Sequence, residues 1–129
     1  MSLKQVKALF LIGSIYDIFA GLGFALFFKP IYEMFNVELP NHAGYVQLCG
    51  LLIMIFGIGF YLVYKDPVRN LSLIMLGILM KAAFVIVVFG HTLLGSVPVL
   101  YVPFAGADLL FLLLFIAAYV GVRRASTAP

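Results

Sequence analysis

Four apolar runs of about 20 residues leave this chain few folds to choose from. Of its 129 residues, 65% are hydrophobic and 10% are charged, and its mean hydropathy is +1.20. Soluble domains carry a charge on about a quarter of their residues. An apolar run of this length crosses a bilayer as a helix, because a helix satisfies its backbone polar groups internally. The sequence therefore predicts an all-α, polytopic membrane protein.

The predicted transmembrane helices cover residues 8–28, 43–64, 71–94 and 104–122. We expect Asp66-Pro67 to cap the third helix and Pro103 to start the fourth, since proline in the first helical position loses no hydrogen bond. Little sequence remains for a soluble part, so a single transmembrane domain over residues 1–129 is predicted.

The connection over residues 29–42 is too apolar for an ordinary solvated loop. Its apolar side chains can lie on the membrane surface while Glu33 and Glu38 face water, as in an interfacial segment. It can equally pack as a lid on the end of the bundle. The two arrangements are compatible, and the sequence leaves both open.

The basic residues indicate how the bundle is oriented. They precede the first helix, join the second to the third and follow the fourth, as Lys4, Lys7, Lys65, Arg69, Arg123 and Arg124. The other two connections hold only Lys29. Because cytoplasmic connections carry an excess of Lys and Arg, we expect a four-helix antiparallel bundle with both termini cytoplasmic. Residues so dispersed predict topology, and no nucleic acid is expected as a partner.

Three ionisable residues, Asp17, Lys81 and Asp108, lie inside the apolar runs. One ionised side chain at the bilayer centre costs from about 2.5 to more than 10 kcal/mol, so such residues normally face the bundle interior and pair there. Asp17 and Lys81 are each about nine or ten residues into their helices, which at 1.5 Å per residue places them at one depth. We expect them to form a pair, with Lys81 also able to reach Asp108. The pair can be purely structural or can belong to a site.

A second group of polar residues is expected nearer the outer surface. Gln47, His91 and Asp108 come from three helices at about the same level, with Tyr45 above them. Polar groups at this depth must meet one another, water or a ligand. The sequence thus predicts a small ligand pocket built from these four residues with Lys81 as its floor and Asp17 below. The alternative is that Asp108 caps its helix and His91 meets the lipid headgroups.

Catalytic and metal-binding motifs are missing from the sequence. It has no glycine-rich phosphate loop, zinc helix or nucleophile elbow, and its two histidines lie in separate segments. We therefore predict no catalytic residues, no metal and no cofactor. Cys49 is the only cysteine, which excludes an internal disulfide and favours a buried packing thiol.

Several short motifs of the sequence resemble those of small bacterial membrane proteins of the DoxX-like kind. The motifs are Asp17 to Gly21 in the first helix, Tyr45 and Gln47 in the second, Asp66 to Arg69 between the second and third, Lys81 and Asp108. The resemblance implies a four-helix fold in the bacterial inner membrane and implies no particular activity.

Three classes of function fit these features. The first is a non-enzymatic integral membrane protein that binds a lipid-like or small polar ligand, or serves as the accessory subunit of a membrane complex. The second is a dimeric, proton-coupled transporter of small solutes, against which Lys81 argues because it would compete with a cationic cargo. The third is a membrane enzyme that uses Lys81 as base or nucleophile. Besides the lipid bilayer, the expected partners are a small ligand and, through small-residue helix faces, a second copy or a larger complex.

Overall fold

In a computed structural model, which describes residues 1–127, all regular structure is helical. The helices are α1 (Leu3–Leu26), α2 (Phe28–Met34), α3 (Ala43–Lys65), α4 (Leu71–Leu94) and α5 (Tyr101–Thr127). The prediction of an all-α chain is confirmed. Four of these helices, all except α2, are long and apolar enough to cross a membrane. The single domain over residues 1–129 stays a prediction, and its last two residues lie outside the described part.

Helix α1 begins five residues before the predicted start at residue 8, because polar residues cap it. The Ser2 hydroxyl accepts a hydrogen bond from the Gln5 backbone N–H at 3.3 Å, and the Gln5 side chain accepts one from the Ser2 N–H at 2.8 Å. This reciprocal capping box satisfies two free helix donors. The helix therefore extends through Lys4 and Lys7, beyond the apolar run itself.

The first helix ends at Leu26 rather than at the predicted residue 28, and a short helix α2, which the apolar pattern did not reveal, runs from Phe28 into the predicted connection over residues 29–42. One side of this segment packs on the bundle, since Tyr32 is buried and its hydroxyl forms a hydrogen bond with that of Tyr101. The other side, with Met34 and Phe35, is not covered by protein. The segment therefore packs as a lid while keeping an apolar surface of its own.

The turn between α3 and α4 corrects the predicted cap. Asp66 ends α3, and its carboxylate accepts a hydrogen bond from the Arg69 N–H at 3.1 Å within the turn. Helix α4 starts only at Leu71, so Asp66-Pro67 does not cap it. Asn70 joins the two helices, because its side-chain amide donates to the carbonyls of Leu62 at 3.0 Å and Asp66 at 2.9 Å.

Helix α5 is longer at both ends than the predicted 104–122. It begins at Tyr101, which makes Pro103 its third residue rather than its first. Proline is tolerated there because the N–H groups of a first turn have no partner within the helix. At the far end α5 continues through Arg123 and Arg124 to Thr127.

The long helices pack chiefly in two pairs, α1 with α3 and α4 with α5. Glycines allow the backbones of α1 and α3 to approach closely. A Cβ atom on Gly50 would lie 2.6 Å from the Gly21 carbonyl oxygen, and one on Gly57 would lie 3.1 Å from the Ser14 carbonyl oxygen. Small residues at such crossings are typical of helix pairs in membranes. Helices α3 and α4 touch far less.

The two pairs meet in an aromatic core that we call the closed half. Its buried residues come from the start of α1, the end of α3, the start of α4 and the end of α5: Val6, Phe10, Phe60, Val63, Ile74, Phe115, Ala118 and Val122. The Phe10 and Phe115 rings stack with centroids 4.3 Å apart, and Phe60 meets Phe115 edge to face at 5.0 Å. This end of the bundle is filled by interlocking side chains.

Candidate functional site

An ion network of Asp17, Lys81 and Asp108 lies directly beyond the closed half. The Lys81 ammonium donates to both carboxylate oxygens of Asp17, at 2.7 and 3.0 Å, and to Oδ1 of Asp108 at 2.8 Å. The predicted pair of Asp17 and Lys81 is confirmed, and so is the reach of Lys81 to Asp108. An ammonium has three N–H donors. The ammonium is therefore held between the two carboxylates and binds both of them.

Aromatic rings surround the Lys81 ammonium on its remaining sides. Its Nζ lies 5.4 Å from the ring centroids of Tyr16 and Phe111 and 6.0 Å from that of Phe60. Cations are attracted to aromatic faces at such distances. Gly77, one turn before Lys81 on α4, leaves room for Phe60, because a Cβ atom there would lie 2.6 Å from its ring. The rings and the carboxylates together fix the ammonium in place.

The three members of the network differ in exposure. The side chains of Asp17 and Lys81 are 1% exposed and that of Asp108 is 9% exposed. Lys81 donates a hydrogen bond to Oδ1 of Asp108, whereas Oδ2 has no such partner. Among residues 1–127 no side-chain polar atom is both fully buried and without a partner, so Oδ2 is not fully buried. The free Oδ2 of Asp108 is thus the part of the network that remains open. With all three groups ionised, the network carries one more negative than positive charge.

A cavity of about 550 Å³ borders the network on the side away from the closed half. This part of the molecule is called the open half. Its walls come from four helices and include seven aromatic residues, Tyr16, Phe24, Tyr45, Phe56, Phe84, Tyr101 and Phe104. Asp17, Lys81 and Asp108 line it as well. Predominantly apolar walls with a few convergent polar groups are typical of small-molecule sites, and the volume is within their usual range.

The cavity has a roof and an open side. The roof is the contact of α2 with α5, where the hydroxyls of Tyr32 and Tyr101 form a hydrogen bond and Phe24 packs beneath them. The open side lies between α3 and α4, because the exposed lining residues all belong to these two helices. Its rim residues are not covered by protein, namely Tyr45, Cys49, Leu52, Ala83 and Val87.

The structure does not bring all predicted site residues together. Tyr45 lines the cavity, but Gln47 and His91 are exposed and do not line it. Gln47 is two residues after Tyr45, and side chains two residues apart in a helix point to nearly opposite sides of it. His91 is ten residues after Lys81, about 15 Å farther along α4. The predicted cluster of Gln47, His91 and Asp108 is absent from this geometry, which gives the first two no support as ligand-binding residues.

Several cavity residues were not predicted as site residues, although their spacing shows the pattern. Tyr16, Ala20 and Phe24 recur every four residues on α1, beside Asp17, and Tyr101 and Phe104 precede the predicted Asp108 by seven and four residues on α5. Such spacing marks one face of a helix. In an apolar span, however, a stripe of aromatic residues looks the same whether it packs, faces lipid or lines a cavity.

Cys49 corrects another expectation. It is exposed at the rim of the cavity rather than buried as a packing thiol. The next residue, Gly50, packs closely against the backbone of α1. The next residue along a helix turns by about 100°, so the thiol points away from this contact.

No three His, Cys, Asp or Glu side chains are grouped so as to hold a metal ion anywhere in residues 1–127. Comparison with protein-family models, with curated proteins and with solved structures gave no match. The ion network and the cavity are therefore the features that bear on function.

Proposed function

We propose that this chain is a small multi-pass membrane protein whose cavity binds a lipid-like or small polar ligand. The observation that carries the proposal is a cavity of about 550 Å³ whose floor is an ion network. A salt bridge needed only to fix helix packing is best fully enclosed, since water and ligands weaken it. Here Asp108 is left open toward the apolar walls, where it can meet a bound molecule.

The other two functions draw unequal support. An enzyme with Lys81 as nucleophile needs a neutral amine with a free lone pair. The Lys81 ammonium instead donates hydrogen bonds to the carboxylates of Asp17 and Asp108, as in a salt bridge. The second carboxylate, Asp108, supports a proton-coupled transporter. With two carboxylates and one ammonium in the network, one carboxylate is left to bind a proton or a cation. The closed half argues against it, since it offers no opening for release on the other side.

The same proposal includes orientation and location. Both termini would be cytoplasmic in an antiparallel bundle, and the resemblance to DoxX-like proteins implies that this bundle lies in the bacterial inner membrane. The distribution of basic residues supports this orientation, because Lys4, Lys7, Lys65, Arg69, Arg123 and Arg124 all flank the closed half. A Pro98→Cys substitution in a Cys49→Ala background tests it. An impermeant thiol reagent should label that cysteine from outside the cell, and labelling from the cytoplasm alone would reverse the orientation.

Native mass spectrometry of the protein in mild detergent tests ligand binding. We expect the wild type to carry a co-purifying small molecule. Ala83→Trp, which places an indole in the cavity, should lose it, because Ala83 lines the cavity. The matched control is Leu79→Trp, on the same helix but 58% exposed and outside the cavity lining. Equal retention of the small molecule by both variants would mean that it binds elsewhere. The same spectra report whether the protein is a monomer, a dimer or part of a larger complex.

A further inference from the structure

From the charge balance of the ion network and the side on which the cavity opens, we infer that the ligand is a membrane-dissolved monocation, an apolar molecule bearing one protonated amine that binds Asp108. The inference rests on the proposed ligand-binding function and names its ligand class. Three observations carry it.

The first observation is that the ammonium of the network is already bound by two carboxylates. Lys81 Nζ lies 2.7 and 3.0 Å from the carboxylate oxygens of Asp17 and 2.8 Å from Oδ1 of Asp108. A fatty acid or a phosphate that approached this ammonium would meet both of these negative charges. Repulsion between like charges in a low-dielectric site is strong. The network thus selects against anionic ligands.

The second observation is the unmatched acceptor. Asp108 has a free carboxylate oxygen on the cavity side, and the network has two carboxylates for one ammonium. A ligand ammonium can donate a charge-assisted hydrogen bond to that oxygen and balance the network. The aromatic residues of the cavity wall also favour a cationic ligand, because aromatic faces attract cations. A neutral hydroxyl would make the hydrogen bond without balancing the charge.

The third observation is the position of the opening. The cavity opens between α3 and α4, along the length of two candidate membrane helices, while α2 and Tyr101 cover its end. A molecule entering there arrives from within the bilayer. Its body must therefore be apolar enough to dissolve in lipid, which excludes simple hydrophilic amines. The volume of about 550 Å³ accommodates such a molecule.

The test compares three probes with the same tail, dodecylamine, dodecanol and dodecanoic acid, at pH 7 in phosphatidylcholine nanodiscs. The chain contains no tryptophan, so a Phe84→Trp substitution places a single fluorophore in the cavity wall. The control reporter is Phe19→Trp, which is 72% exposed and reads only the concentration of probe in the surrounding lipid. We expect a saturable response at position 84, with dodecylamine bound at least about tenfold more tightly than dodecanol, and dodecanoic acid bound most weakly.

A charge-removing substitution sharpens the test. Asp108→Asn keeps the size of the side chain and an acceptor for Lys81, so dodecylamine should lose its advantage over dodecanol while dodecanol binding persists. Glu38→Gln removes the same charge from an exposed residue outside the cavity and should leave the advantage intact. The comparison of probes on the protein with Asp108 in place does not depend on whether Asp108→Asn folds.

The outcomes separate this inference from the proposed function. Dodecanol bound as tightly as dodecylamine, or dodecanoic acid bound more tightly, would overturn the cation preference while leaving a ligand-binding cavity. Equal responses at positions 84 and 19 for every probe would show partition into lipid alone. That result would overturn the inference, whereas retention or loss of the co-purifying molecule by Ala83→Trp decides the proposed function separately.

Discussion

The closed and open halves are built from the same four long helices but differ in what fills the space between them. In the closed half the rings of Phe10, Phe60 and Phe115 interlock, and the side chains are almost completely buried. In the open half a cavity remains, bounded by aromatic walls and by the ion network. Because lipid is as apolar as leucine, helices in a membrane gain stability from close packing rather than from avoiding water. A half that gives up such packing is therefore a candidate for a function that needs the space.

The ion network lies where the two halves meet. Phe60 and Phe111 contact both the aromatic core and the Lys81 ammonium. Asp17 belongs to the α1 and α3 pair, whereas Lys81 and Asp108 belong to the α4 and α5 pair. The contact between Lys81 and Asp17 thus ties one helix pair to the other. This tie compensates for the sparse contact between α3 and α4 beside the cavity.

Loss of the tie should give the largest effect on stability. Lys81→Met leaves two buried carboxylates without a cation, and we expect it to lower the free energy of unfolding by about 3 to 5 kcal/mol. Asp17→Asn should cost less, and the double variant should recover part of the sum, because only Asp108, the more exposed carboxylate, is then left without a cation. Denaturation by sodium dodecyl sulfate from mild detergent measures each variant. Lys65→Met, at an exposed position, is the control and should change stability by no more than about 0.5 kcal/mol. Strictly additive losses would show that the interaction between Asp17 and Lys81 contributes no free energy to folding.

The next largest effect should be the difference in stability between two matched substitutions on α5, one in each half. Phe115→Ala removes a ring that is fully buried among Phe10 and Phe60, so we expect a loss of about 3 kcal/mol. Phe104→Ala removes a ring that faces the cavity, creates no new enclosed void and should cost about 1 kcal/mol or less. The same denaturation assay compares them. Equal losses would mean that the open half is as tightly packed as the closed one.

The smallest effect concerns the wall of the cavity formed by α1 and α3. Gly50→Ala puts a methyl group 2.6 Å from the Gly21 carbonyl oxygen and should cost about 1 to 3 kcal/mol. Gly59→Ala, on the same helix, meets no atom within 4 Å and should be neutral or stabilising by up to about 1 kcal/mol. Thermal unfolding in nanodiscs would distinguish the two variants. If Gly59→Ala proved the more harmful, α3 would present a different face to α1.

The sequence predicted those features that depend on hydrophobic length and on the cost of buried charge. The four long helices follow from apolar runs, and the pairing of Asp17 with Lys81 follows from their equal depth. Helix ends were predicted less well where polar residues decide them, as in the capping box of Ser2 and Gln5 that extends α1. Helix α2 was missed because seven residues are too few to show a period clearly.

The cavity could not be predicted, because it depends on how the helices are rotated and spaced. Gln47 and Tyr45 have the same depth in the sequence, yet only Tyr45 lines the cavity. Cys49 shows the same limit, since an apolar neighbourhood in sequence fits both a packed interior and a rim. Hydropathy reports depth in the membrane and carries little information about direction around a helix within a wholly apolar span.

The accessibility of two alanine positions tests most directly whether one half is open and the other closed. Ala20 lines the cavity one turn beyond Asp17, whereas Ala118 is fully buried in the closed half. In a Cys49→Ala background, Ala20→Cys and Ala118→Cys would be treated with N-ethylmaleimide in nanodiscs, and modification would be followed by mass spectrometry. Since a thiol reacts only where reagent and water reach it, Ala20→Cys should be modified many times faster than Ala118→Cys. Equally slow modification of both, with reaction only after unfolding, would contradict the open cavity.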